Sequence, residues 1–156
     1  MSTIFKGAMN TASIDIDSIV DRIKNLHPKL YVTIMVQNDM RLGPEKDDGY
    51  IEYKRTLINC NDKKIQQYAT QMRWRITENI KHQRATYYIG VDDNGTIIGL
   101  TDEEIIECIR KFILIANTIN ASIFNTEIIQ INTNFIIRIG VKIKKIHFIE
   151  FDDDNF

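Results

Sequence analysis

The fold is decided by residues 84–119, which read RATYYIGVDDNGTIIGLTDEEIIECIRKFILIANTI. The stretch opens with alternating apolar and polar side chains, the pattern of a strand with one buried face. Asp92-Asp93-Asn94-Gly95 is a hairpin-turn signal, so residues 96–100 are expected to return as a second strand. Thr101 and Glu104 have capping-box spacing, and apolar residues continue behind them at helical spacing. The stretch therefore predicts strand, turn, strand and helix.

Further elements extend from this stretch in both directions. An order of β-α-β-β-α-β-β is expected after residue 49, preceded by one helix and one strand. This order favours an α+β domain, in which two main helices pack on a mixed, mostly antiparallel sheet. The additional expected elements are a helix over 13–26, a strand over 30–36, a loop over 37–49, a strand over 50–58, a helix from 61 or 62 to 80, and strands over 121–131 and 135–149.

Length and composition indicate one globular domain. The chain has 156 residues, of which 44% are hydrophobic and 26% charged, as is usual for such a domain. We expect a flexible N-terminus over 1–12, the domain over 13–149 and an acidic tail over 150–156. Cys60 and Cys108 lack metal-ligand spacing, and neither a signal peptide nor a membrane span is recognisable. A cytoplasmic protein is therefore expected.

Charge is unevenly distributed along the chain. The formal net charge is −1, yet residues 50–85 hold eight basic side chains against three acidic ones. A local excess of +5 can attract an anionic partner even when the whole chain is nearly neutral.

The last strand separates apolar from basic side chains. Alternate residues of a strand point to opposite faces, so a basic row is expected beside a buried row. The basic row is either an anion-binding face or a solvated surface whose lysines protect a sheet edge. The buried row contains Phe135, Ile137, Ile139, Val141 and Ile143, and the other row contains Arg138, Gly140, Lys142 and Lys144.

Trp74 lies opposite the apolar face of the helix predicted from 62 to 80. Arg73 and Arg75 flank it in the sequence. An exposed indole among cations suits nucleic-acid binding, because the ring can stack on bases while the cations hold phosphates. The alternative is that N-terminal elements cover Trp74.

Three carboxylates are the candidate catalytic residues. Asp47, Glu52 and Asp92 can gather around a divalent metal for phosphodiester hydrolysis if their strands are neighbours. The alternative is that Asp92 makes the turn while Glu52 pairs with Lys54. The sequence contains neither a phosphate-binding loop nor a serine-nucleophile motif.

Four segments together resemble a known family: 51–54 (IEYK), 70–75 (TQMRWR), 88–95 (YIGVDDNG) and 99–104 (GLTDEE). They are similar to the region before the GTPase domain in the GTP-binding protein 1 and 2 family, which are EF-Tu-like translational GTPases. The likeness covers roughly residues 49–145, and residues 1–45 do not match. It implies an accessory domain without GTP hydrolysis. A separate copy of this domain suggests an AT-rich protist or a large DNA virus, so the location is the cytoplasm, the virion or the host cytoplasm.

A looser resemblance connects Glu52-Tyr53-Lys54 and residues 89–95 to Schlafen and AlbA-2 type domains, some of which cleave RNA. That likeness implies Asp47, Glu52 and Asp92 as catalytic residues, with Glu52 and Asp92 binding Mg²⁺ or Mn²⁺. Asp47 is shorter than the glutamate usual there, and the chain has one lobe where Schlafen nucleases have two.

These observations leave three functional hypotheses. The first is a non-catalytic module without a cofactor that binds tRNA, rRNA or mRNA, or a ribosome or translation-factor protein. The second is a metal-dependent ribonuclease, and the third is a protein-interaction or self-associating domain that pairs through the strand at 135–149. The residues expected to bind RNA are Lys54, Arg73, Trp74, Arg75, Arg138, Lys142 and Lys144.

Overall fold

The computed structural model describes residues 14–144. The N-terminus over 1–12, the acidic tail over 150–156 and the predicted strand end beyond 144 lie outside the described residues. The described part has three helices and five strands, which confirms the predicted α+β class. The elements are α1 (Ile16–Leu26), β1 (Val32–Val36), β2 (Ile51–Lys54), α2 (Asp62–Glu78), β3 (Arg84–Ile89), α3 (Asp102–Thr118), β4 (Ala121–Ile131) and β5 (Asn134–Ile143).

The strands form one mixed sheet in the order β1-β4-β5-β3-β2. β1 is parallel to β4 and β2 is parallel to β3, whereas β5 is antiparallel to both of its neighbours. Parallel neighbours need a long crossover, and α2 supplies it between β2 and β3. The sheet is mixed as predicted, but it has as many parallel as antiparallel pairs.

Helix starts follow their capping residues. The Asn61 side chain accepts a hydrogen bond from the backbone N–H of Lys64 at the start of α2. At the start of α3, Thr101 and Glu104 form the predicted capping box in both directions. Each bond satisfies a backbone donor that would otherwise lack a partner in the first turn. Across the described residues no helix has the length and apolar character needed to span a membrane.

The main core lies between one face of the sheet and the helices. From β5 it receives Phe135, Ile137, Ile139 and Val141, which confirms the predicted separation of the two faces of that strand. These residues meet α3 side chains such as Phe112, which is fully buried. We call the opposite side of the sheet the open face, because no helix of the described chain packs on it.

A second, smaller core covers one half of the open face. Tyr53, Val91 and Ile136 are buried there, and Met40 and Leu42 pack against them from the loop between β1 and β2. The loop is fixed by backbone bonds, including that from the N–H of Glu45 to the carbonyl of Asp93. The other half of the open face is not covered by this loop.

The strand predicted over 96–100 does not form. Only one bridge, between Val91 and Ile97, follows the turn. Gly90 and Gly99 have φ values of +99° and +86°, and the N–H groups of residues 98 and 99 both donate to the Gly90 carbonyl. The chain then bends, so that the N–H of Leu100 donates to the Phe135 carbonyl. The order after residue 49 is therefore β-α-β-α-β-β.

The position of β5 corrects a further expectation. The strand lies between β3 and β4, so its lysines do not protect a sheet edge and it cannot pair with another sheet. Among the strands of residues 14–144, β1 and β2 are at the edges of the sheet. Long-range pairing decides which strand is interior, and the pattern within β5 contains no information about it.

Gly95 provides a test of how the turn is docked. Its φ is +92°, and a Cβ there would lie 2.3 Å from the Leu42 carbonyl oxygen, whereas a Cβ at Gly43 would meet nothing within 4 Å. We expect Gly95→Ala to lower the free energy of unfolding by about 2–4 kcal/mol through strain and overlap. Gly43→Ala should change it by less than about 0.5 kcal/mol. Urea unfolding measures both, and equal effects would contradict this docking.

Candidate nucleic-acid interface

The uncovered half of the open face has two cations directly opposite each other. Arg84 of β3 and Lys142 of β5 are Cα partners in the antiparallel ladder, and both are exposed. Neither takes part in an ion pair with a described residue. Directly opposed like charges destabilise a sheet, so this pair has a cost in the free protein that a bound anion would remove.

An aromatic ring lies beside these two cations. Phe124 is the extra residue of a bulge in β4, where the register shifts between Ile123 and Asn125. Its ring centroid is 4.8 Å from the guanidinium carbon of Arg84 and 5.9 Å from the Lys142 Nζ. Both separations permit cation–π attraction. A bulge can redirect a side chain, and here it directs the ring across the sheet.

Gly140 makes room for the ring. A Cβ at that position would lie 2.5 Å from the tip of the Phe124 ring, so only glycine permits this approach. The ring remains 38% exposed. The surface thus combines an accessible aromatic ring with two cations that have no ion-pair partner among residues 14–144.

A groove continues this surface past the end of the sheet. Its volume is about 690 Å³, and none of the described residues that line it is a carboxylate. The turn after α2 contributes Lys81 to it, and the start of β3 and the ends of β4 and β5 complete the wall. The lining residues are Lys81, His82, Gln83, Arg84, Ser122, Lys142, Ile143 and Lys144. We call this groove, with Phe124, the cationic surface.

Lys142 and Lys144 were predicted from the strand pattern, and both line the groove. Arg138 is also on the open face, but its Nε bonds to the Glu127 carboxylate, and this bond raises the pKa of Arg138. The sequence reasoning missed Arg84 and Lys81 as site residues, although both belong to the basic stretch. It also missed Phe124, because no local pattern reveals a bulge.

Trp74 is 44% exposed and Arg73 is exposed beside it. Arg75 differs, since only 3% of it is exposed. Its guanidinium carbon lies 5.2 Å from the Trp74 ring centroid, but its N–H groups point into the protein. The predicted phosphate contact of Arg75 is therefore wrong, because a ligand outside cannot reach its donors.

Arg75 and Glu52 form the centre of a buried polar network. Arg75 Nε donates to Glu52 Oε1 at 2.7 Å. The other guanidinium nitrogens donate to the carbonyls of Gly49 and Lys46 at 2.9 and 3.0 Å. Lys54 Nζ lies 3.1 Å from Glu52 Oε2, which is the pairing that the alternative interpretation of Glu52 predicted.

Lys54 is also engaged on the helix side of the sheet. Its Nζ donates to Gln71 at 2.8 Å and lies 3.9 Å from the ring centroid of Tyr68. The predicted RNA-binding residues therefore do not form one surface. Lys54 and Arg75 belong to the buried network, Arg73 and Trp74 lie on α2, and Arg138, Lys142 and Lys144 lie on or beside the open face.

The three candidate catalytic carboxylates are in different settings. Asp47 is exposed, and Glu52 is buried with two cations. Asp92 lies in the turn, where its side chain accepts a hydrogen bond from the N–H of Asp93 and its carbonyl accepts one from the N–H of Gly95. Within residues 14–144, no three His, Cys, Asp or Glu side chains come together in a way that could hold a metal ion. Glu45 adds a carboxylate near Glu52, and burial followed by that neighbouring charge raises the pKa of Glu45.

The fold and this surface define an α+β domain with a cationic sheet face. The chain belongs to the same family as the "Uncharacterized protein R625" of Acanthamoeba polyphaga mimivirus. The two are 51% identical over 129 residues, which are 83% of this chain and 69% of the viral protein.

A part of the chain is also similar to "GTP-binding protein 2" of Homo sapiens and of Mus musculus. The identity is 38% over 86 residues, which are 55% of this chain but 14% of each of those proteins. No protein-family model matches the chain. No solved structure matches it either. The looser likeness to Schlafen and AlbA-2 domains receives no support from these comparisons.

Removal of Arg75 tests the buried network. Arg75→Ala leaves Glu52 buried with only Lys54, so we expect a loss of about 3–5 kcal/mol in unfolding free energy. Arg73→Ala, the matched exposed control, should cost less than about 0.5 kcal/mol. Both are measured by urea unfolding.

The double variant Glu52→Leu/Arg75→Met separates loss of charge pairing from loss of packing. It should be more stable than Arg75→Ala, because the buried Glu52 carboxylate is removed as well, while Lys54 loses that partner but keeps its contacts with Gln71 and the Tyr68 ring. Equal stabilities of Arg75→Ala and Arg73→Ala would contradict the central role of this network.

Proposed function

We propose that this protein is an RNA-binding module, and that RNA binds across the cationic surface of the open face. The observation that carries the proposal is the opposed pair Arg84 and Lys142. A fold that keeps two exposed cations opposite each other, with no carboxylate of the described residues paired to either, has a site that anionic phosphates can neutralise.

Phe124 supports a nucleic acid over other anions. A nucleotide strand offers a flat base beside each phosphate, and stacking of bases on aromatic side chains tolerates any sequence. The exposed ring of Phe124 lies next to both cations, so one nucleotide can meet the ring and the charges together. Single-stranded RNA is favoured, because its bases are available to stack.

The relatives favour a role in translation. Residues of this chain are similar to a part of GTP-binding protein 2. The four motifs resemble the region before the GTPase domain of translational GTPases, and this resemblance supports a role in translation. On this basis tRNA, rRNA or mRNA is the RNA to test, and a ribosome-bound or translation-factor protein is a partner compatible with the same surface. The similar part of the chain spans 14% of GTP-binding protein 2.

A charge-reversal experiment tests the site. We expect labelled single-stranded RNA and tRNA to bind in EDTA with an affinity that falls as salt rises. Arg84→Glu/Lys142→Glu should weaken binding at least about tenfold, which is about 1.4 kcal/mol. The slope of the logarithm of the binding constant against the logarithm of the salt concentration should also become less steep by about 1.4, because each of the two lost phosphate contacts contributes about 0.7 on a single strand. Fluorescence anisotropy at several salt concentrations measures both.

Lys24→Glu/Lys63→Glu is the matched control. It makes the same change in net charge at two exposed lysines of α1 and α2, and neither lysine forms an ion pair with another residue that the structure describes. The control should bind nearly as well as the wild type. Equal losses in the two double variants would show non-specific attraction, and absence of salt-sensitive binding would refute the RNA module.

Phe124→Ala tests stacking separately from charge. Stacking contributes about 1–3 kcal/mol per base, so affinity for single-stranded RNA should fall by roughly 5- to 150-fold. The salt slope should remain that of the wild type, because both cations are still present. Phe124→Tyr keeps an aromatic face and should bind like the wild type. Trp74→Ala, on α2, should leave the affinity unchanged if RNA uses only the cationic surface.

A further inference from the structure

The two edges of the sheet differ in how far other described residues cover them. At the β2 edge, the backbone N–H of Tyr53 donates to the Glu45 carboxylate at 2.6 Å, and the Tyr53 hydroxyl donates to the Gly43 carbonyl. Residues 43–45 therefore cover that edge. At the other edge, β1 has no strand beyond it in the described chain. Uncovered edges are templates for pairing with another strand.

The residues of β1 do not discourage such pairing. Its sequence is VTIMV, without a charge or a proline. Val36 is 62% exposed and Ile34 is 38% exposed. Lysines, prolines and bulges are the usual protection of an edge, and β1 has none of these.

The direction of the backbone hydrogen bonds of β1 identifies which of its residues can pair with another strand. The N–H of Gln37 donates inward, to the Gln130 carbonyl of β4. Since successive residues of a strand direct their backbone groups to alternate sides, the N–H and C=O of Val32, Ile34 and Val36 point away from β4. Ile34 and Val36 present these donors and acceptors on exposed residues, and Val32, whose side chain lies in the main core, continues the row.

We propose that a second copy of this chain pairs with β1 in antiparallel orientation, about a two-fold axis at Ile34. This register sets Ile34 opposite the partner's Ile34, and Val36 opposite the partner's Val32. In this register, each of the three outward-pointing residues of one copy exchanges backbone hydrogen bonds with an outward-pointing residue of the other copy. The interface is isologous, as in most homodimers, and joins two sheets into one.

The charges at the ends of β1 match this arrangement. Lys29 precedes the strand and Asp39 follows it, at equal distances in sequence from Ile34. Both are exposed and neither makes an ion pair within the described chain. An antiparallel two-fold brings the Lys29 end of each copy to the Asp39 end of the other. A parallel pairing would instead place like charges together, so charge favours the antiparallel dimer.

Light scattering and sedimentation test the oligomeric state. The wild type should show twice the 18.2 kDa mass of one chain at high concentration. Val36→Lys should abolish the dimer, because it adds a charge to the pairing edge at a side chain that is already exposed. Ile51→Lys, which adds the same charge to an exposed residue of the covered edge, should remain dimeric.

Cysteine cross-linking tests the register. In the proposed pairing the two Ile34 Cα atoms lie about 5.5 Å apart, so Ile34→Cys should form an intermolecular disulfide under mild oxidation. Val36→Cys should not, since its two copies would be roughly 13 Å apart along the strands. The native Cys60 and Cys108 are buried, and burial raises the pKa of both thiols, so they should not compete.

Each result decides for or against the dimer. A register-specific disulfide together with a monomeric Val36→Lys supports it. A wild type that remains monomeric at every concentration would overturn it, and would leave β1 available to a strand of a different protein. Equal cross-linking at positions 34 and 36, or equal masses of the two lysine variants, would overturn the proposed register and edge.

Discussion

The rest of the structure depends on the buried pair of Arg75 and Glu52. It joins α2 to β2 across the helix side of the sheet, while the same guanidinium binds the carbonyls of Lys46 and Gly49. A buried carboxylate without its partner would cost several kcal/mol, so helix, strand and loop are coupled. The pair is thus the point at which the loop between β1 and β2 is attached to the framework.

Attachment of that loop determines which part of the open face is accessible. Met40 and Leu42 cover Tyr53 and Ile136 on one half, and the turn at Asp93 holds the loop through Glu45. The other half then has no cover from the loop. The candidate site is therefore not a separate structure added to the fold. It is the area of sheet that the fixed loop does not reach.

The features that could be predicted from the sequence are those that depend only on residues near one another in the chain. Alternation in β5 identified its buried and basic rows, and the spacing of Thr101 and Glu104 identified a capping box, because each depends on neighbours in the chain. Arg75 was misassigned because it follows the exposed Trp74 directly in the sequence, and nothing nearby reveals the Glu52 carboxylate and the loop carbonyls that accept its hydrogen bonds. Phe124 was missed for a similar reason, since its bulge exists only relative to Gly140 on the next strand. The interior position of β5 also depends on pairing between distant segments.

The ion pairs of the structure separate the cations that the fold compensates from those proposed to bind RNA. Arg75 and Lys54 are both held by Glu52, and Arg138 is held by Glu127. These cations are compensated within the fold, so each is explained without a ligand. Arg84 and Lys142 oppose each other beside an aromatic ring and have no compensating carboxylate in the part of the chain that the structure describes. Because protein stability is marginal, an uncompensated repulsion at a defined register is more readily explained by a ligand than by folding. That contrast, more than the number of basic residues, is the reason for assigning the anion to this half of the sheet.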